Sequence, residues 1–242
     1  MRCTAQEVCD KLVNEDSILS SQGGIVFTFG GVGITVRQKD VVGNIMQEWV
    51  RGWLERKDID FELSQNTQMP PDFYLNPDNK QENLLEVKAF DNERGPGFDI
   101  ADFRMFASEV IEKPYMLEAD YLVFGYKMTA GVVTVKNLWL KKVWQITCSS
   151  ANWPMKLQVK ESVVHKIRPG VFYSGRAKFK SFECLEDFLS ALEESIYQNR
   201  DTRELSQQWK NRFLASYYAH YGVRLNIPRW SEIAERYRAQ GQ

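Results

Sequence analysis

Pro71-Asp72-Phe73-Tyr74-Leu75, Leu84-Leu85-Glu86-Val87-Lys88-Ala89-Phe90 and Ala119-Asp120-Tyr121-Leu122-Val123-Phe124-Gly125-Tyr126 are the three stretches that decide the fold. Pro70-Pro71 brings the chain into the first of them extended. Asn76-Pro77-Asp78-Asn79-Lys80 is a strong turn signal, so 72–75 and 84–90 are predicted to be the arms of a hairpin. The third stretch is almost wholly apolar, as expected of a strand covered on both faces. Between the second and third lie a loop at 91–97, with two glycines and a proline, and a helix predicted from about 99 to 112. Ile100, Phe103, Phe106 and Val110 form the inward side of that helix.

Working outward, residues 4–19 read as a short amphipathic helix carrying Val8, Leu12 and Val13 on one side. Residues 25–29 and 33–36 read as two strands joined by a glycine turn at Gly30-Gly31. Asp40 is the expected N-cap of a four-turn helix in which Val42, Ile45, Met46, Trp49, Val50, Trp53 and Leu54 recur at helical spacing. That helix should pack on the sheet, with Gln47 and Glu48 near its middle. Downstream, 132–147 is expected as strand and edge structure and 148–182 as irregular, basic chain. Helices are predicted around 185–196, 203–220 and 231–239. No Pro-, Gly- or Ser-rich linker and no internal repeat interrupts the sequence, so a single α/β domain is expected. Its parts are a chemistry-bearing core over 1–147 and a basic, mostly helical part over 148–242.

Residues i and i+2 of a strand share a face. Glu86 and Lys88 therefore project together, away from Leu85 and Val87, and Asp72 at the start of the paired strand can reach the same spot. Two carboxylates and one ammonium are expected to converge at one edge of a sheet. Such a set suits phosphodiester hydrolysis. Carboxylate oxygens bind Mg²⁺, which keeps part of its water shell and stabilises charge on the phosphoryl and leaving oxygens. A lysine alongside orients the attacking water and offsets charge on the phosphate. Asp72 and Glu86 are thus the candidate metal ligands and Lys88 the candidate water-positioning group. Spacing alone is weak support, because Pro-Asp followed by [DE]xK arises by chance in about one chain in ten of this length.

The order helix, strand, strand, helix, strand around this motif resembles the PD-(D/E)xK nuclease superfamily. That resemblance implies a restriction-endonuclease-like core, a central mixed sheet flanked by helices. It also implies that an acid on the first helix joins the site, which makes Glu48 a candidate fourth member; a solvated helix residue is the equally weighted alternative. The stretches 40–49, 83–90 and Phe98-Asp99-Ile100-Ala101 are similar to the NgoBV-type restriction endonucleases over roughly residues 4–220. This likeness implies Mg²⁺-dependent cutting of duplex DNA at GGNNCC.

The net charge of −1 hides a division. Residues 1–135 carry 13 Lys/Arg against 22 Asp/Glu, whereas 136–242 carry 18 against 10, and 136–180 hold ten basic residues and one acid, Glu161. A charge run is commonly a solvated face, but a one-sign strip on a near-neutral protein also suits a polyanion. Lys141, Lys142, Lys156, Lys160, Lys166, Arg168, Arg176, Lys178 and Lys180 are the candidate DNA contacts. Most would meet phosphates, and Arg168 or Arg176 could read guanine. Trp139, Trp144 and Trp153 are expected to serve packing. Phe213, Tyr217, Tyr218 and Tyr221 are expected to form a helix face or a dimer contact.

Other chemistries lack their residues. The four cysteines have no CxxC spacing and are read as reduced, packed thiols. Two histidines exclude a His-rich metal site, and HExxH, GxSxG and GxxxxGK[ST] are absent. No apolar run is long enough to span a bilayer, and the first residues lack a signal-peptide core, so no membrane association and a cytoplasmic address are expected. The combined reading is a type II restriction endonuclease acting as a homodimer, since a palindromic site is read most simply with two-fold symmetry. A repair or structure-selective nuclease with the same core, a non-catalytic DNA-binding protein and a protein binding an acidic partner remain open alternatives.

Overall fold

The three strand-forming stretches become neighbours in one six-stranded sheet of the computed structural model, which describes residues 1–66 and 68–239. In chain order the strands are β1 (Gln22–Gly24), β2 (Val26–Phe29), β3 (Val32–Thr35), β4 (Glu62–Leu63), β5 (Phe73–Tyr74), β6 (Leu84–Asp91), β7 (Ala101–Asp102), β8 (Asp120–Thr129), β9 (Val132–Lys142), β10 (Leu157–Lys160) and β11 (Val163–Ile167). The helices are α1 (Ala5–Asp10), α2 (Val42–Arg56), α3 (Phe103–Glu112), α4 (Val143–Ile146), α5 (Leu185–Gln198), α6 (Arg203–Tyr221) and α7 (Trp230–Ile233). These elements fall into two compact units that interleave along the chain. One comprises Met1–Ser64, Pro71–Phe98 and Asp120–Lys141, the other Gln65–Pro70, Asp99–Ala119 and Lys142–Gln242.

The first unit is built on the sheet β1-β9-β8-β6-β5-β4. β5 and β6 form the antiparallel hairpin expected from the Asn76–Lys80 turn, and β6 runs parallel to β8 from Leu85 opposite Asp120 to Asp91 opposite Tyr126. Glu86 therefore lies on an interior strand, between β5 and β8. The expected position at a sheet edge is corrected: β8, too apolar for an edge, takes the far side of β6. Gly125 on β8 is required by crowding, because a Cβ there would come within 2.9 Å of the Trp139 ring, which stacks on Phe90. Helix α2 buries Val42, Met46, Val50, Trp53 and Leu54 in the core that also holds Leu85, Val87, Leu122 and Phe124. Asp40 is not its N-cap. That place falls to Val41, with no side-chain cap, after a turn in which the Val42 N–H donates to the Lys39 carbonyl at 3.2 Å. β2 and β3 are the expected two strands joined by a glycine turn, with Gly30 and Gly31 at φ 56° and 81°, and they form a ribbon apart from the six-stranded sheet. Positive φ at both central residues is what a two-residue hairpin turn demands.

The second unit contains the small antiparallel sheet β10-β11-β7. The expectation of irregular chain over 148–182 is corrected by the β10–β11 hairpin. Its turn is made by Glu161 and Ser162, both at positive φ, residue types that give no glycine or asparagine signal. The helix expected from 99 starts at Phe103, because Ala101 and Asp102 pair with β11 and the Asp102 side chain then accepts from the Met105 N–H at 3.0 Å. The strand expected to reach 147 stops at Lys142, where α4 begins. Phe106, Phe182 and Phe188 pack together, and the buried Trp209 indole donates to the Ala107 carbonyl at 2.7 Å. Of the C-terminal aromatic group, Phe213 and Tyr217 are buried on α6 while Tyr218 is exposed. The four cysteines are free thiols, and no helix among the described residues is long and apolar enough to cross a membrane.

Candidate active site

Asp72 is held at the entry to β5 from both sides of its backbone: its N–H donates to Leu85 O (3.1 Å) and its carbonyl accepts from Ser64 N (3.0 Å). Its carboxylate is satisfied twice. Oδ2 accepts from the Val87 N–H at 2.8 Å and Oδ1 from Gln47 Nε2 at 2.7 Å. Glu86, only 3% exposed, projects from β6, and Lys88 Nζ lies 2.6 Å from its Oε1. The other Glu86 oxygen, Oε2, is buried with no hydrogen-bond partner among the described residues. Tyr121 stands opposite Glu86 in the parallel β6–β8 register; its hydroxyl is likewise buried without a partner.

The electrostatics follow from two acids sharing a buried site. Burial first, and then the Glu86 charge, push the Asp72 carboxyl up to about 7, while Lys88 and the Val87 N–H pull it down. Burial and the charges of Glu86 and Asp72 hold the Tyr121 hydroxyl well above its ordinary range, which places that hydroxyl in the field of both carboxylates. One ammonium does not neutralise two carboxylates, and an ionised, buried oxygen with no partner is costly. A small, hard divalent cation would relieve both defects, and two carboxylates plus water are a sufficient protein contribution for such an ion. Among the described residues no cluster of three or more His, Cys, Asp or Glu side chains adds to this pair.

The structure brings Asp72, Glu86 and Lys88 together. It does not bring Glu48 to them: that side chain is 61% exposed and lies 3.2 Å from Arg51 on the outer side of α2. The helix instead contributes Gln47. The signal lay in the helical spacing, since Gln47 shares a stripe with Val50 and Leu54 at i+3 and i+7, both buried, whereas Glu48 shares one with the Arg51–Glu55 pair. Tyr121 had no signal, because its alignment with Glu86 depends on the strand register.

The candidate DNA contacts divide. Lys142 Nζ donates to Glu118 O at 2.5 Å, Lys156 Nζ donates to Pro169 O at 2.9 Å and Arg168 pairs with Asp99. Lys166 lies 3.6 Å from Asp102. These four are partly buried, as is Lys141 on β9, whereas Lys160, Arg176, Lys178 and Lys180 are exposed. Lys178 lies 5.8 Å from the centre of the Phe179 ring.

A family model for the NgoBV restriction endonuclease matches residues 2–237. The chain is 56% identical over 240 residues to the type II restriction enzyme NlaIV of Neisseria lactamica, which covers 98% of this chain and 99% of that protein. It is 50% identical over 163 residues to the type II restriction enzyme NgoBV of Neisseria gonorrhoeae, covering 67% of this chain and 93% of that one. The solved structure of NlaIV restriction endonuclease matches with a TM-score of 0.95 at 56% identity, over 99% of this chain and 98% of the other. With two carboxylates and a lysine converging inside a mixed sheet and a match along nearly its whole length, this chain belongs to the NgoBV restriction endonuclease family and is a type II restriction endonuclease, a site-specific endodeoxyribonuclease.

Proposed function

We propose that Asp72 and Glu86 hold Mg²⁺, that Lys88 positions the attacking water, and that the enzyme acts as a homodimer on duplex DNA at GGNNCC, in the cytoplasm. Restriction endonucleases generally need a divalent metal, and the buried, partnerless Glu86 Oε2 beside a second carboxylate is the observation that carries its assignment to this pair. Magnesium, when bound, supplies Lewis-acid stabilisation of the charge developing on the phosphate and leaving oxygens. The rest falls to the side chains. Gln47 and the Val87 N–H fix the Asp72 carboxylate so that its remaining lone pairs face the ion. Lys88 has three donors and no acceptor, so it is not a ligand. Held against Glu86 Oε1, its ammonium can donate to the phosphate while a water accepts from it in line with the scissile bond.

Duplex affinity is assigned first to the exposed Lys160, Arg176, Lys178 and Lys180, as phosphate contacts. Lys141, Lys142, Lys156 and Arg168 keep a secondary role, since the last three must exchange or share their present partners to meet DNA. Digestion of a plasmid of known sequence with Mg²⁺, followed by run-off sequencing of the ends, tests this reading. Discrete fragments ending within GGNNCC are expected. Ends at another fixed sequence would overturn the site, and full cleavage by Glu86→Ala would overturn the ligand assignment.

A further inference from the structure

The β2–β3 ribbon carries an apolar face that no other part of the described residues covers. Phe27 pairs with Ile34 and Phe29 with Val32, and alternation puts all four on one side of the ribbon. All four are exposed, Phe27 at 55% and Phe29 at 79%, and the two rings stack at 6.4 Å. Two isolated strands are marginal in water, and a contiguous apolar patch of this kind marks an interaction surface. At the foot of the ribbon, Ile25 lines an apolar groove together with Ile45, Met46, Trp49 and Val133 of the same unit. Ile45 and Trp49 on its rim are 41% and 39% exposed. The same unit thus presents both a projecting apolar ribbon and an apolar socket.

We infer that this ribbon and groove are the contact between two copies of the chain, each ribbon lying with its Phe27/Phe29 face in the groove of the other. The inference rests on the homodimer proposed above and names its surface. Three arguments select a second copy as the occupant. From Gln22 to Val36 there is no charged residue, whereas a surface that meets DNA neutralises phosphates with lysine and arginine. A projection and its socket on one molecule are self-complementary, and a two-fold axis makes the exchange reciprocal and closed. The area is also of the right order. At roughly 200 Å² per ring, the two phenylalanines leave about 270 Å² exposed, a third of the ~800 Å² that each partner of a stable interface buries. Val32, Ile34 and the groove rim supply more.

The test is sedimentation velocity of the full chain without DNA, for the wild type, for Phe27→Ser/Phe29→Ser, for Ile45→Glu/Trp49→Ser and for an equimolar mixture of the two variants. The wild type should sediment as a dimer, and each variant should raise the dimer dissociation constant at least about 100-fold. The mixture should dimerise better than either variant alone, because a heterodimer confines both defects to one of its two contacts and leaves the other intact. Recovery by mixing also shows that the variants are folded, as does a thermal melt. A wild-type monomer at all concentrations would overturn both this inference and the homodimer. Variants as dimeric as the wild type would overturn this surface alone. Retained dimers that lose duplex affinity in a parallel fluorescence-anisotropy titration would overturn this surface and make the ribbon a DNA wedge, and equal weakness of the mixture and the single variants would overturn the reciprocal exchange.

Discussion

Asp72→Asn should inactivate the enzyme and, at the same time, stabilise it in the absence of metal. Asp72 ionises in the folded protein only at about pH 7, against an ordinary value near 3.8, because it is buried beside Glu86. The native state therefore binds this proton more tightly than the unfolded chain between about pH 4 and 7. Stability is intact below that window, falls as pH rises through it, and carries the full penalty above pH 7. Three pH units correspond to a ceiling of about 4 kcal/mol, at 1.36 kcal/mol per unit. For a chain of this size each kcal/mol moves the melting temperature by roughly 2–4 °C, so an upward shift on the order of 10 °C is the ceiling at pH 8. Asparagine keeps an acceptor for the Val87 N–H, and the Gln47 carboxamide can turn its oxygen toward the new amide. Thermal melts in a chelator from pH 4 to 9 should show the wild type losing stability as pH rises and the variant losing less, with the variant the more stable above pH 7. Added Ca²⁺ should raise the melting temperature of the wild type and leave the variant where it is. Parallel pH profiles, or a variant less stable than the wild type at pH 8, would refute the claim that burial beside Glu86 raises the Asp72 carboxyl. A position at a sheet edge would give neither effect, since an exposed carboxylate has little to gain from losing its charge.

Gln47→Ala should weaken Mn²⁺ binding, read by calorimetry, about 10- to 100-fold, whereas Glu48→Ala should leave binding and cleavage within about twofold, because it removes an exposed ion pair with Arg51. Tyr121→Phe should leave the metal-free protein as stable or up to about 1 kcal/mol more stable by denaturant melts, because it removes a buried hydroxyl without a partner. Lys178→Glu/Lys180→Glu should weaken binding to all duplexes alike and flatten the dependence of log affinity on log salt by about one unit per lost phosphate contact, measured by fluorescence anisotropy with Ca²⁺; an unchanged slope would place this strip away from DNA.

What could be read from the sequence was whatever depended on local chemistry. The Asn76–Lys80 turn and the prolines before Asp72 were enough for the β5–β6 hairpin, and alternation along β6 was enough to put Glu86 and Lys88 on one face. Gly30-Gly31 was enough for the ribbon. The β10–β11 hairpin escaped because Glu161 and Ser162 adopt positive φ without being the residue types that favour it. Asp40 failed as a cap because a good capping residue only permits a helix start, and the turn from Lys39 to Val42 moved the start one residue on. The interior position of β6 depended on which strand takes its free edge, a choice made by long-range packing of β8.

The exchange of Glu48 for Gln47 has a physical rationale beyond helical phase. Two carboxylates and one ammonium give the site a formal charge of −1, and a divalent cation turns this to +1, suited to a phosphodiester carrying −1. An acid at position 47 would cancel that attraction, and in the metal-free protein it would add a second carboxylate charge beside Asp72, which burial and Glu86 already push up to about 7. A carboxamide avoids both costs. Its N–H donates to Asp72 Oδ1 and so favours the ionised form, the one that would accept a cation, while adding no charge of its own. The acid that stands next to it in sequence is carried one-quarter turn around α2, where Arg51 and solvent neutralise it. The same stripe of α2 that buries Val50 and Leu54 in the core therefore also fixes which of two adjacent polar side chains reaches Asp72.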